Sequence, residues 1–147
     1  MFGHFTMRSR LPRPPETVWR DVVSRGGIAD EFFPWLGMRL PAGELPARLD
    51  APLHVGSCWL LLFGCLPVEC DDLTLLRLEP GAFDERSRML GQRVWWHRRR
   101  VAATADGCEL VDRVAFVPRW PATLPLCRLL FRLVFAWRHR RLRRRYR

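Results

Sequence analysis

Four ionisable side chains, Glu85, His97, Arg99 and Asp112, alternate along their segments with period two among Phe83, Ser87, Trp95, Val101, Leu110 and Val114. A histidine on an inward face can serve as a general acid or base, and a glutamate among apolar neighbours needs a partner or a solvated cavity. An arginine near an aspartate suits two other roles: tying strands together, or anchoring the polar end of an apolar ligand. Which role applies depends on whether the four share one face.

Strand geometry supplies the test, since side chains alternate with period two and a tight turn sets the register. A two-residue turn at Pro80 and Gly81 pairs Leu78 with Phe83, Leu76 with Glu85 and Thr74 with Ser87. The opposite face then carries Arg77, Glu79, Asp84, Arg86 and Arg88, a solvated surface, so Phe83, Glu85, Ser87 and Met89 point inward. A second turn at Asp106 and Gly107 pairs Val101 with Asp112, Arg99 with Val114 and His97 with Phe116. That register turns Arg98, Arg100 and Arg113 outward. Trp95, His97, Arg99 and Val101 face inward from one strand, and Leu110, Asp112, Val114 and Phe116 from the next. Arg99 and Asp112 become diagonal neighbours. Buried charges are costly unless paired or solvated, so the cluster implies a salt-bridge network, a wet cavity or both. His97 is the candidate general acid or base, although an inward histidine also serves when merely hydrogen-bonded.

Other chemistries lack their residues. The chain has no glycine-rich phosphate loop, no His-x-x-x-His, no paired-cysteine ligand spacing and no G-x-S-x-G elbow, so neither a metal nor a cofactor is expected. Asp71 and Asp72 are expected at a turn, as a solvated tip.

The elements that position the cluster can be read in order. FTMRSRL alternates as a strand, LPRPPETVWRDVV starts a helix at prolines, and GGIADEFFPW supplies a second helical turn or two, stopped at Pro34. Pro41 to Gly56 reads as loop, followed by the apolar strand SCWLLLFGCLPV and the two hairpins. PATLPLCRLLFRLVFAWRHRRLRRRYR is one long helix of about 40 Å at roughly 1.5 Å per residue. Leu126, Leu130, Leu133 and Trp137 are spaced as the stripe that presses on the sheet. The order is α+β: a curved antiparallel sheet wrapped around a long C-terminal helix, with two short N-terminal helices.

The chain of 147 residues makes one domain, residues 1–147, with 138–147 as the arginine-rich end of its last helix. Seven of its 25 basic residues, all arginine, lie in that end, and the remaining 18 face 15 acids, a body of about +3 rather than +10. The segment reads first as the solvated end of a helix, favourable at the negative end of the helix dipole. It is second a contact for nucleic acid or an anionic membrane through Arg138, Arg140, Arg141, Arg143, Arg144 and Arg145. The five cysteines are odd in number and irregularly spaced, as expected of reduced thiols, and no stretch resembles a signal peptide or reaches the roughly 18 apolar residues of a membrane span. A cytoplasmic location is expected.

LPRPPETVWRDVV after the first strand, then GAFDERS, WWHRRRV, LVDRVAFVPR and the basic aromatic helix FRLVFAWRHRRLRRR, in that order, resemble the START-like or Bet v 1-like superfamily, also called SRPBCC, which includes polyketide cyclases and lipid-transfer domains. The resemblance covers nearly the whole chain and implies a helix-grip fold enclosing a cavity for apolar or aromatic molecules, lipids or polyketides. It also implies that a Trp-x-His-x-Arg strand lines that cavity, which maps onto Trp95, His97 and Arg99. The superfamily mixes carriers, sensors and enzymes, so the fold assigns no reaction. The expected function is binding of a hydrophobic or aromatic small molecule between sheet and C-terminal helix. Its walls are Phe83, Met89, Trp95, Val114, Phe116, Leu130, Val134 and Trp137, and its polar groups Glu85, His97, Arg99 and Asp112. A cyclase or dehydratase using Glu85 and His97 is the alternative.

Overall fold

The computed structural model describes residues 1–147. In chain order its elements are β1 (Gly3–Leu11), α1 (Pro15–Val22), α2 (Arg25–Phe32), β2 (Leu36–Arg39), β3 (Leu53–Leu62), β4 (Leu66–Glu79), β5 (Ala82–Met89), β6 (Gln92–Thr104), β7 (Gly107–Pro118), a short 3-10 turn (Pro121–Thr123) and α3 (Leu124–Arg145). The strands form one antiparallel sheet in the order β1-β7-β6-β5-β4-β3-β2. With α3 laid across it beside β1 and α2, this is the expected α+β helix-grip fold.

The two hairpins departed from expectation in different ways. The β4–β5 turn lies at Pro80 and Gly81, and Leu78 pairs with Phe83 as expected. Beyond it, Leu76 bulges out of the ladder, so Glu85 faces Leu75 rather than Leu76, and Asp72 and Asp71 face Arg88 and Met89, displacing the Thr74–Ser87 pair. A bulge inserts one residue and flips every later side chain. Leu73, Leu75 and Leu78 are consequently buried while Leu76 is exposed, and Asp71 lies buried in mid-strand instead of at a solvated turn. In β6–β7 the turn residues are Ala105 and Asp106, one position earlier than Asp106 and Gly107, which slides each pair by two. A slide of two keeps the faces. Arg99 is therefore directly opposite Asp112, His97 opposite Val114, Trp95 opposite Phe116 and Val101 opposite Leu110, with all of them still inward. Gly107 lies so close to the end of β1 that a Cβ there would collide with the Leu11 carbonyl oxygen.

Two further boundaries change. SCWLLLFGCLPV is not one strand: β3 ends at Leu62, the chain reverses through Phe63, Gly64 and Cys65, and β4 begins at Leu66. The stretch read as loop to Gly56 is shorter, because β3 starts at Leu53, and β2 pairs with it ahead of the loop.

α3 presents a different face from the stripe expected. Leu124, Phe135, Arg138, His139 and Leu142 are its buried residues, whereas Leu126, Leu130 and Leu133 are exposed and Trp137 is half-buried at the rim. Spacings of four, three and four existed on both sides of this helix, since its first half is apolar almost all round. The side that meets the sheet is the one carrying the partners for Glu31 and Asp112.

Candidate functional site

Two apolar clusters fill the space between sheet and helices. One holds Phe5, Met89, Trp95, Val114, Phe116, Leu124 and Phe135; the other includes Leu11, Val18, Trp19, Val101, Cys108, Leu110, Leu142 and Tyr146. Polar residues separate them on successive elements: Ser9 on β1, Glu85 and Ser87 on β5, His97 and Arg99 on β6, Asp112 on β7, Arg138 and His139 on α3. Glu31 joins from α2, where it falls on the same helical face as Gly27 and Phe32. The result is a buried polar belt.

Asp112 is its centre. Oδ1 accepts from His97 Nε2 at 2.7 Å and Arg99 Nε at 2.8 Å, and Oδ2 from His139 Nε2 and Arg99 Nη2, both at 2.8 Å. These bonds fill the roughly four lone-pair sites of a carboxylate. The far side of the Arg99 guanidinium donates to Glu31, from Nη1 at 3.0 Å and Nη2 at 2.8 Å, and Arg138 Nε donates to Glu31 Oε1 at 3.1 Å. Arg138 itself lies between the rings of Phe32 and Phe135, 4.6 and 4.8 Å from their centroids. Two cations thus face two anions, which offsets the desolvation that each alone would suffer.

The tautomers follow from this pattern. Burial alone would raise the Asp112 carboxyl, but Arg99 and His97 beside it hold it well below the usual carboxylate range. Burial likewise raises Glu31, and Arg99 and Arg138 overrule it and lower it. An ionised carboxylate only accepts, so both histidines carry a proton on Nε2. The other ring nitrogen of His139, Nδ1, is hydrogen-bonded with the Ser9 hydroxyl at 2.7 Å, and Ser9 Oγ accepts from Arg143 Nη1 at 2.9 Å. His97 Nδ1 is the one ring nitrogen of the two histidines without such a partner. Burial, against the pull of Asp112, lowers the His97 value and keeps the ring neutral.

Glu85 stands beside that free nitrogen, with Oε2 3.8 Å from Nδ1. Burial and then the neighbouring Asp71 push Glu85 well above the normal range, and burial raises Asp71 too. Ser87 Oγ donates to Glu85 Oε1 at 3.0 Å. An acid shifted toward its protonated form and an imidazole shifted toward its neutral form therefore stand side by side in the belt, the directions in which one gives and the other takes a proton. Phe83 and Phe135 meet His97 edge-on at 5.0 and 5.1 Å, and in the adjoining apolar cluster Phe131 meets Trp95 and Phe116 at 4.9 and 4.8 Å.

Of the residues singled out in the sequence, Glu85, His97, Arg99 and Asp112 come together. Phe83, Met89, Trp95, Val114, Phe116 and Val134 border them, whereas Leu130 lies on the outer side of α3 and Trp137 turns to Trp35, donating from Nε1 to the Phe33 carbonyl at 2.9 Å. Sequence reasoning missed Ser9, Glu31, Asp71, Arg138 and His139. The signal for Glu31 was an acid on the Gly27, Ile28, Phe32 face of α2. For Arg138 and His139 it was their place between Phe135 and Leu142 on a second stripe running from Leu124. The expected solvated tail is also corrected: Arg138 and His139 are buried, Arg141 pairs with Asp30, Arg143 reaches Ser9, and Arg145 stands near Asp21 and Asp30. On the opposite, outer face of the sheet a shallow groove of about 300 Å³ is lined by residues that include His4, Thr6, Trp96, Arg98 and Arg113.

Several solved structures share this architecture. Protein CV1439 from Chromobacterium violaceum superposes with a TM-score of 0.71 at 16% identity, covering 97% of this chain and 96% of the other. The Zhui aromatase/cyclase from Streptomyces sp. R1128 gives 0.67 at 15%, covering 97% and 92%, and Ara h 8.0201 gives 0.61 at 11%, covering 97% and 98%. At these identities the likeness is one of fold. No curated protein matches the sequence. Residues 9–146 match the model of the family described as Domain of unknown function (DUF8410). The chain therefore belongs to that family and carries the helix-grip fold of the Bet v 1-like, or SRPBCC, proteins.

Proposed function

We propose that this protein binds an apolar or aromatic small molecule in the layer between the sheet and α3, with its polar end directed at Glu85 and His97. The observation that carries the reading is the His97 Nδ1 lone pair, unbonded, with the rings of Phe83 and Phe135 edge-on to the imidazole and Glu85 at 3.8 Å. An apolar enclosure with a few convergent polar groups is the usual composition of a small-molecule site. Phe131, half-buried and edge-on to two rings, is the side chain that would give way to a ligand. Arg99 and Asp112 are saturated by one another and by Glu31 and the histidines, so their part is to hold His97 in place. The aromatase/cyclase and Bet v 1-type allergen that share the fold are consistent with a ligand of this class.

The test is titration with an apolar aromatic dye. Val114→Trp, and the milder Val114→Leu, should weaken binding by about tenfold or more by filling the layer, whereas Leu129→Ser with Leu133→Ser, on the outer face of α3, should leave it unchanged. Binding that survives both Val114 variants in protein with an unaltered circular dichroism melt sinks the reading.

A second reading rests on the same pair. Glu85, raised toward its protonated form, and His97, lowered toward its neutral form, make an acid and base pair suited to the enolisations and dehydrations of a cyclase. Turnover of a poly-β-ketone should then fall on the order of 100-fold in Glu85→Gln and in His97→Ala. Turnover that persists in the double variant excludes the two as acid and base.

A further inference from the structure

The outer side of α3 is apolar where a surface helix is ordinarily polar. Leu126, Leu129, Leu130 and Leu133 are exposed by 57%, 57%, 48% and 58%, and their spacing places them together on the side opposite the buried Leu124 and Phe135. The patch continues through Trp137 to Trp35, 6.0 Å away, and on to Phe63 at 6.3 Å, both of these also exposed. Such a contiguous exposed apolar surface marks an interaction site.

Charge identifies the occupant. From Leu124 to Arg145 the helix contains no acid; Arg132 flanks the leucines, Arg140 and Arg144 continue their side of the helix, and Arg128 lies at the patch's edge toward β1, donating to the Phe2 carbonyl, none of the four with a carboxylate partner, unlike Arg138, Arg141 and Arg145. A second copy of the chain would bring one acid-free basic helix against another, an arrangement that like charges oppose. An anionic bilayer satisfies both features. Leucines enter the acyl boundary, arginines extend to phosphates with their stems along the apolar surface, and tryptophans sit at headgroup level. No helix is long and apolar enough to cross a membrane, so α3 would lie in the interface plane.

We propose that the outer face of α3, centred on Leu126, Leu129, Leu130 and Leu133 and bordered by Arg128 and Arg132, docks the protein onto an anionic phospholipid surface. This surface is distinct from the arginine-rich C-terminal end, most of which is engaged within the fold.

Vesicle flotation of the full chain tests it, using phosphatidylcholine alone and phosphatidylcholine with about 30 mol% phosphatidylglycerol. The protein should float with the anionic vesicles and not with the neutral ones. Leu129→Ser with Leu133→Ser, and separately Leu126→Ser with Leu130→Ser, should each lower the partition coefficient by about tenfold or more. Arg128→Gln with Arg132→Gln should lower it less and remove much of its salt dependence. The proposal is overturned if the wild type binds neither vesicle, or if both leucine pairs bind like the wild type, which would leave only a basic attraction. It is equally overturned if sedimentation shows a dimer that the leucine pairs disperse, since a second copy would then be the occupant.

Discussion

The two halves of α3 invert the usual relation between hydropathy and burial. In the first half, Leu126, Leu129, Leu130 and Leu133 face out; in the second, amid a run of arginines, Arg138 and His139 are buried to 7% and 1% exposure. The difference lies in what waits on the other side. At Arg138 the fold offers the Glu31 carboxylate and two aromatic faces, and at His139 it offers Asp112 and Ser9. The leucines are given no apolar surface of this chain to cover. Burial here follows partners, and a charged side chain with good ones outcompetes an apolar side chain with none.

The sharpest way to break this comparison is to remove the acceptor on which the buried half depends. Asp112→Asn leaves Arg99 with one of its two counter-charges and turns an amide toward histidine N–H donors. Losing one member of a buried ionic network costs about 3–5 kcal/mol, roughly 10 °C or more in Tm for a chain of this size. Denaturant unfolding would show it as a lower midpoint at unchanged slope. A loss under about 1 kcal/mol would mean that the belt is incidental to stability, and the contrast between the halves of α3 would then need another cause.

A middle-sized effect separates the two kinds of carboxyl in the belt. Asp112 and Glu31 are lowered, so their stabilisation is present above the unfolded carboxylate values and is lost as pH falls through the folded ones. His97 is also lowered; below its unfolded value of 6.5 the unfolded chain takes up a proton that the folded one refuses, which again weakens the fold in acid. Glu85 is raised, and its sign is opposite. Its contribution is full below the unfolded value of 4.5 and declines as pH rises toward its folded value. Glu85→Gln should therefore gain on the wild type as pH rises from about 5 to about 8, since the amide mimics the protonated acid and does not titrate. Equal differences at both pH values would show that Glu85 is ionised throughout.

Legibility followed the same division between local rule and distant partner. Strand alternation placed Glu85, His97, Arg99 and Asp112 inward, and it survived a misplaced β6–β7 turn because moving the turn by one residue slides the pairs by two and preserves the faces. It failed at Leu76, where a bulge with no turn residue to announce it reversed the inward set on β4. Phe63, Gly64 and Cys65 hid a hairpin inside an apolar run. The long helix itself was evident; its orientation was not, because Leu126–Leu130–Leu133 and Leu124–Phe131–Phe135 are equally good stripes by composition. Choosing between them requires knowing that Glu31 and Asp112 come to meet residues 138 and 139, information held far away in the chain.

The smallest expected effect is the most direct probe of that orientation. Leu133→Ser and Arg144→Ser change opposite kinds of residue, one apolar and one basic, yet both lie on the outer side of α3 and neither fills a place in the core. Each should shift unfolding free energy by no more than about 0.5 kcal/mol, the range of an ordinary surface substitution, as read from paired urea melts. If hydropathy governed the helix and Leu133 pressed on the sheet, its loss would resemble a core truncation of about 2 kcal/mol or more, while Arg144 would remain neutral. Near-equality of the two is thus the informative result, since only a helix whose leucines face away from the core makes an apolar and a basic residue equally dispensable to stability.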